Sequence, residues 1–409
     1  MISKFLFHVV TSLYLLIPMD NTQQDHLRAY GVVYNSLAKG IKAEWILNFR
    51  GGSFLIEDNK VTRRLCDIMG VSYEKINEED VVILKEKTKK SNIEFILLEK
   101  APRIAVYAPP YYEPWDDAVM LALDYAQVKY TRIYDDEVLQ GELKNFDWLH
   151  LHHEDFTGQF GKFYGRYRKA PWYRRRVEFK RNIARKWGFR NVPELEHEIA
   201  RRIKDFVENG GFLFAMCSAP ITLDIALASE GVDIQDIPFD GTPPDPYCNS
   251  KLDYSQTLAF KNFSVYTSPV VYEHSDIDVT LEAARRGENT FFVLQEFSAK
   301  IDPIPAILTQ NHTRFIKEFL GQDTGFRMNK LKKTVIILAR VPETDEVKYL
   351  YGDYGKGFFT FLGGHDPEDF KHYIGDPPTD LRKHKHSPGY RLILNNILLP
   401  AAKRKKLKT

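Results

Sequence analysis

Phe212-Leu-Phe-Ala-Met216 is an unbroken apolar run that starts behind Gly210-Gly211 and stops at Cys217-Ser218-Ala219-Pro220. A run this short, apolar at every position and bounded by turn formers, reads as a strand buried on both faces. Such strands belong to parallel sheets covered by helices, because a strand with one wet face would alternate. Similar runs recur at Leu13–Pro18, Ala43–Phe49, Ile93–Leu98, Arg103–Ala108, Tyr130–Tyr134 and Phe146–His152. Helical spacing lies between them, over Asp25–Lys39, Val61–Met69, Glu78–Lys90, Trp115–Gln127 and Pro193–Asn209. The alternation predicts an α/β fold with a doubly wound, mostly parallel sheet. Val335–Val341, Val347–Tyr351 and Phe358–Leu362, separated by short polar turns, predict a late antiparallel meander. Tyr390–Leu399 predicts a closing helix.

Two α/β segments are expected, residues 13–100 and 101–400, because a strand–proline–helix start occurs in each. Pro18 precedes Asp25 by seven positions, as Pro109 precedes Asp116, which fits either a duplicated unit or generic convergence. Residues 240–280, rich in proline, aspartate and aromatics, read as a loop-rich elaboration. Residues 159–190 break the pattern. From Lys162 to Arg190 there are twelve basic residues against one acid, interleaved with Tyr164, Tyr167, Trp172, Tyr173 and Trp187. Such a segment binds a polyanion or forms a solvated face. The whole chain carries 57 basic and 55 acidic residues, so the solvated face is favoured and no nucleic acid partner is expected. A basic tail follows at 401–409.

No stretch reaches the ~18 consecutive apolar residues of a membrane span. Three cysteines, Cys66, Cys217 and Cys248, cannot build a disulfide framework. Met1–Ser12 reads as a leader with a charged start and an apolar stretch, cleaved after Ser12. That places the protein in the periplasm or outside the cell; if the segment is retained, the alternative is cytoplasmic.

The chemistry concentrates at strand ends. Cys217 stands between a strand and the helix that Pro220 opens, where backbone dipoles and free N–H groups favour a thiolate. The N–H of Ser218 would face a developing oxyanion. Phe358–Leu362 ends in Gly363-Gly364-His365, which releases a histidine, a candidate general base, just past a buried strand. His150, His152, His153, Glu154 and Asp155 close another strand. They suit an oxyanion or sugar-hydroxyl site, with His150 and His152 on one strand face and His153 opposing them. Two of them, completed from His365 or Asp366, would also suit a metal ion. Adjacent histidines seldom make a full site by themselves, so neither metal nor cofactor is assigned.

These residues carry a resemblance. Gly-Gly-Phe-Leu-Phe-Ala-Met-Cys217-Ser-Ala and Gly-Gly-His365-Asp-Pro-Glu368 together resemble the class I glutamine amidotransferase-like superfamily, which implies a flavodoxin-like fold. Ser387–Asn396 is similar to the closing helix of its trehalose-utilisation branch. Ile17-Pro-Met-Asp20, Asp25–Gly31, Arg50–Ser53, His150–Gly158 and Thr309–His312 resemble a Bacteroidota family, often exported, that carries the label asparagine synthetase B. The label itself does not fit: Ile2 stands where a synthetase has its cysteine, and Arg50-Gly-Gly-Ser53 lacks the serine and aspartate of its nucleotide loop. The resemblance implies Cys217 as nucleophile, His365 as base and Glu368 as its orienting acid. It departs at Ala215 and Ala219, where glycines usually flank the cysteine, and at Pro367, where the acid usually stands. The expected function is a thiol-dependent hydrolase or amide-transfer enzyme acting on a small polar substrate. Ser218, His152, His153, Glu154, Asp155 and Asp20 are the expected oxyanion and substrate contacts. The alternative is a non-catalytic carbohydrate- or metabolite-binding protein on the same fold.

Overall fold

The computed structural model describes residues 13–403; the expected leader and the tail from Arg404 onward lie outside them. The first sheet comprises β1 (Leu13–Ile17), β2 (Ala43–Leu47), β3 (Ser53–Glu57), β4 (Glu74–Asn77) and β5 (Glu94–Leu98). Their order is β4-β1-β3-β2-β5, and every pairing is antiparallel. Helices His26–Ala38 and Lys60–Met69 connect β1 to β2 and β3 to β4, so the first four strands form a split βαβ arrangement.

The second sheet holds β6 (Ile104–Tyr107), β7 (Thr131–Ile133), β8 (Trp148–Leu151), β9 (Phe212–Met216), β10 (Phe291–Leu294), β11 (Phe315–Lys317), β12 (Phe326–Arg327), β13 (Ile336–Arg340), β14 (Glu346–Tyr354) and β15 (Gly357–Leu362). Its path runs β11-β10-β13-β14-β15-β9-β8-β6-β7, with β12 paired to β14. Strands β7, β6, β8, β9 and β15 are mutually parallel; the remaining pairings are antiparallel.

The expected doubly wound, mostly parallel, flavodoxin-like sheet is therefore corrected to a mixed α/β architecture. The physical reason lies in β3 and β4. β4 has one apolar residue and β3 only the three of Phe54–Ile56, directly behind a hairpin turn, so residues 43–69 read as one strand and one helix. In fact β2 and β3 form a hairpin across Phe49–Gly52, where Trp45 Nε1 donates to Gly52 O at 3.0 Å. A tight hairpin forces antiparallel pairing, and the first sheet follows from it. The matched starts at Pro18 and Pro109 thus feed strands in an antiparallel and a parallel setting.

One core serves both sheets. Leu15 and Ile17 of β1 and Phe212, Phe214 and Met216 of β9 face it; Leu213 and Ala215 face the opposite layer. This two-sided burial is what the Phe212–Met216 run requires. Helix Pro388–Leu398, buried along its length, packs against His26–Ala38 and Ala118–Tyr125 in that core. The last two helices meet backbone to backbone: a Cβ on Gly31 would lie 1.8 Å from Ala126 O.

The basic segment is not only a solvated face. It forms helix Pro171–Lys186, whose Tyr173, Arg176, Lys180 and Ile183 turn inward at helical spacing. The loop-rich stretch after residue 240 is pinned to helix Ala219–Ala228 by Asp224, which accepts from the N–H groups of Leu258, Ala259 and Phe260 at 2.7, 2.8 and 2.9 Å. Among the described residues, no helix is long and apolar enough to cross a membrane.

Candidate functional site

The chain leaves β6 to form β7 on one side and returns to form β8 on the other. Where strand order reverses in this way, the loops beyond the carboxyl ends part and leave a crevice. Four strand ends feed it: the segment after β6 (residues 108–117), His152–Asp155 after β8, Cys217 after β9, and Gly363–Asp366 after β15.

Histidines dominate the crevice. The rings of His152 and His153 lie 5.1 Å apart, with His365 at 4.7 Å from His152 and 6.2 Å from His153. The strand alternation expected to set His153 against His152 ends at Leu151, so both rings face the same space. Each has a carboxylate behind it. Asp117 Oδ1 lies 3.2 Å from His152 Nδ1 and 3.5 Å from His150 Nε2, and it also caps helix Ala118–Tyr125 by accepting from Val119 N and Met120 N. Burial alone would raise Asp117, but the two imidazoles hold its carboxyl well below the usual range. His153 Nε2 donates to Glu113 Oε2 at 2.9 Å. Burial pulls the His153 pKa down, yet the hydrogen bond and charge of Glu113 outweigh it and raise it.

His365 has no such support. Neither of its ring nitrogens has a hydrogen-bond partner, and burial together with His152, His153 and His372 keeps it neutral. It stacks 4.7 Å from His372, which lies 3.0 Å from both Asp116 and Asp369 and is held up at about 9, chiefly by the Asp116 carboxylate beside it.

Beside the histidines, Glu154 Oε2 lies 3.4 Å from Arg176, while Oε1 has no partner. Burial raises the Glu154 pKa against the pull of Arg176. Arg176 also holds Glu113 at 2.9 Å, so one buried guanidinium from the basic helix ties both acids to the site.

Cys217 occupies the expected junction. Its φ is +53°, a left-handed conformation that a cysteine adopts only under strain, and its N–H donates to Gly364 O. The backbone N–H groups of Gln322, Ser218 and Asp323 face its sulfur. Burial nevertheless pushes the thiol up to about 12, and the residue is 3% exposed. Thiolate is then scarce at neutral pH, contrary to the expectation drawn from the elbow's dipoles. Desolvation wins because the sulfur is closed in on all sides. Thiol-specific labelling of the folded protein at pH 8 should leave Cys217 unmodified, reacting ~10³-fold slower than a free cysteine. Peptide mapping checks this, and rapid labelling of Cys217 would show the thiol to be open and ionised.

The expected dyad is not assembled, since His365 makes no hydrogen bond to Cys217 or to any other group. Glu368 pairs with His384 at 3.0 Å instead of orienting His365. Ser218 is buried, with Oγ donating to Glu154 O at 3.4 Å. Asp155 shapes the following turn by accepting from Thr157 N and Gly161 N at 2.8 and 2.6 Å, and lies 3.7 Å from His274. Asp20 belongs elsewhere: it sits past β1 in the other sheet, accepting from Arg50 Nε at 2.7 Å and from Thr22.

Sequence reasoning missed Glu113, Asp116, Asp117, Arg176 and His372. The three acids follow a strand that ends at Pro109-Pro110, the same strand-end signal that singles out His365. Chemically, the crevice offers a buried carboxyl for proton transfer beside three converging imidazoles.

No family model and no curated protein matches the chain. Among solved structures, two cytoplasmic proteins from Salmonella typhimurium align over 74% of this chain and 100% of their own, at 10% and 11% identity and TM-scores of 0.34 and 0.37. An exo-beta-1,4-mannosidase from Opitutaceae bacterium strain TAV5 aligns over 69% of this chain and 33% of its own, at 11% identity and a TM-score of 0.27. At such identities and scores, none of these likenesses bears on function.

Proposed function

We propose that this protein is a hydrolase for a small polar substrate bound in the crevice above β6, β8, β9 and β15. One observation carries the reading: His153 Nδ1, both ring nitrogens of His365 and Glu154 Oε1 are buried there without hydrogen-bond partners. Each orphaned polar atom costs about 1–3 kcal/mol. A crevice that gathers four of them is built to receive a polar ligand. Glu154, with Oε2 held by Arg176, takes a proton through Oε1 from the attacking water as its oxygen bonds to the substrate. It then delivers that proton to the leaving group as the scissile bond breaks. N–H groups of the imidazoles, His153 foremost because Glu113 favours its charged form, stabilise the oxyanion that forms between those events.

A second reading keeps Cys217 as nucleophile. The strained φ at Cys217 and the three N–H groups facing its sulfur support it, and they support the amidotransferase-like resemblance at the elbow.

Chromogenic esters, amides and glycosides separate the readings. Glu154→Gln should lower turnover by ~10²–10⁴-fold while Cys217→Ala stays within a few-fold of the parent. The reverse pattern would establish the thiol mechanism. A parent protein that cleaves nothing, yet is stabilised against heat by one of these compounds, would be a binding protein.

A further inference from the structure

The geometry points to a divalent metal ion of the zinc type held by His152, His153 and His365, with a fourth position open to water or substrate. The inference rests on the hydrolase reading of this crevice and adds a positive charge that neutral imidazoles do not carry. One nitrogen from each of the three rings lies within 4.8 Å of the other two. Tetrahedral coordination at the ordinary zinc–nitrogen distance needs nitrogens about 3.4 Å apart, a difference that small side-chain rotations cover.

Three further features select a metal over a hydrogen-bond network. First, among the described residues His365 has no partner at either nitrogen, and it is 7% exposed. An imidazole stripped of water and given nothing in return is poised for a ligand that wants its lone pair. Second, the outer nitrogens of His152 and His153 are already turned to carboxylates, Asp117 at 3.2 Å and Glu113 at 2.9 Å. That carboxylate–histidine pairing fixes the ring orientation and directs the inner nitrogen, Nε2 of His152 and Nδ1 of His153, towards the shared point. Third, the ligands arise from the ends of β8 and β15, which flank β9 in one sheet, so the scaffold is rigid.

The donor set also limits the ion. Three neutral nitrogens and no thiolate suit Zn²⁺ or Co²⁺, not the oxygen-seeking Mg²⁺ or Ca²⁺. Three protein ligands with a vacant fourth position is the pattern of a catalytic site, whereas structural sites are closed by four. Water bound there would lie beside Glu154, whose carboxylate shares a second close cluster with His153 and Glu113.

The test uses Co²⁺ as a spectroscopic probe on the metal-stripped full chain, with Zn²⁺ in competition. The parent should bind one ion per chain, with the visible absorption of a tetrahedral nitrogen site, displaced by Zn²⁺. His153→Ala and His365→Ala should each abolish the signal, and circular dichroism verifies that they fold. Asp117→Asn, which keeps every ligand, should weaken affinity ~10–100-fold. Asp376→Asn, in the separate cluster of Asp369, His372 and Asp376, should change nothing. Absence of saturable binding, or binding that survives both histidine variants, overturns the inference. Hydrolysis that persists in chelator without bound metal would sink the metal and leave the hydrolase reading intact. A bound ion in a protein that hydrolyses nothing would do the opposite.

Discussion

Lys180→Ala should lower the unfolding free energy by about 3–5 kcal/mol, the usual result of removing one partner from a buried ion pair. Lys180 Nζ lies 2.9 Å from both Asp135 and Glu196, and 4.4 Å from the centroid of the Tyr134 ring. All three charged side chains are buried. Without the ammonium, two carboxyls face each other in a dry pocket. Glu196, which burial already pushes up to about 8, then stays protonated. Lys186→Ala is the control from the same helix. Its ion pair with Asp136 spans 2.7 Å but is exposed, so its loss should cost less than about 1 kcal/mol. Equal denaturation midpoints for the two variants would refute the inward reading of this helix.

Asp224→Ala should be at least as damaging. The substitution strands three buried N–H donors at a cost of about 3–6 kcal/mol and frees the loop after residue 240 from helix Ala219–Ala228. The penalty also depends on pH. Burial raises the Asp224 carboxyl to about 6 in the folded protein, above its ordinary 3.8. A group raised on folding contributes stability that is full below its unfolded pKa and is lost as pH rises through the folded one. Urea melts of parent and variant should therefore differ by about 1 kcal/mol more at pH 5 than at pH 8. A difference that widens towards pH 8 would mean that Asp224 is favoured as an anion in the fold.

Several strands were legible because they are apolar on both faces: β1, β6, β9 and β15 each read directly as runs. Strand β4, Glu74-Lys-Ile-Asn77, has a single apolar residue and lies at the sheet edge, so nothing in its sequence announces it. Without β3 and β4, alternation of strand and helix could only imply parallel pairing. The site divides similarly. Cys217, His152, His153 and His365 sit one to three positions past strand ends, so the apolar runs located them. Glu113 and Asp117 reach the histidines through the path of a loop, which no local period encodes. Arg176 and Lys180 were visible in principle, since Tyr173, Arg176, Lys180 and Ile183 follow a helical face. Counting the twelve basic residues together concealed that three of them, Lys162, Arg176 and Lys180, are buried.

The position of helix Pro388–Leu398 bears on how the protein is made. This helix fills the space between the two sheets, yet it is synthesised after every strand it packs against. Until it emerges from the ribosome, both sheets present unsealed apolar faces, and neither can complete its side of the shared core. Every strand it covers therefore waits with an exposed apolar face until residues 388–398 have emerged, a state that chaperones recognise.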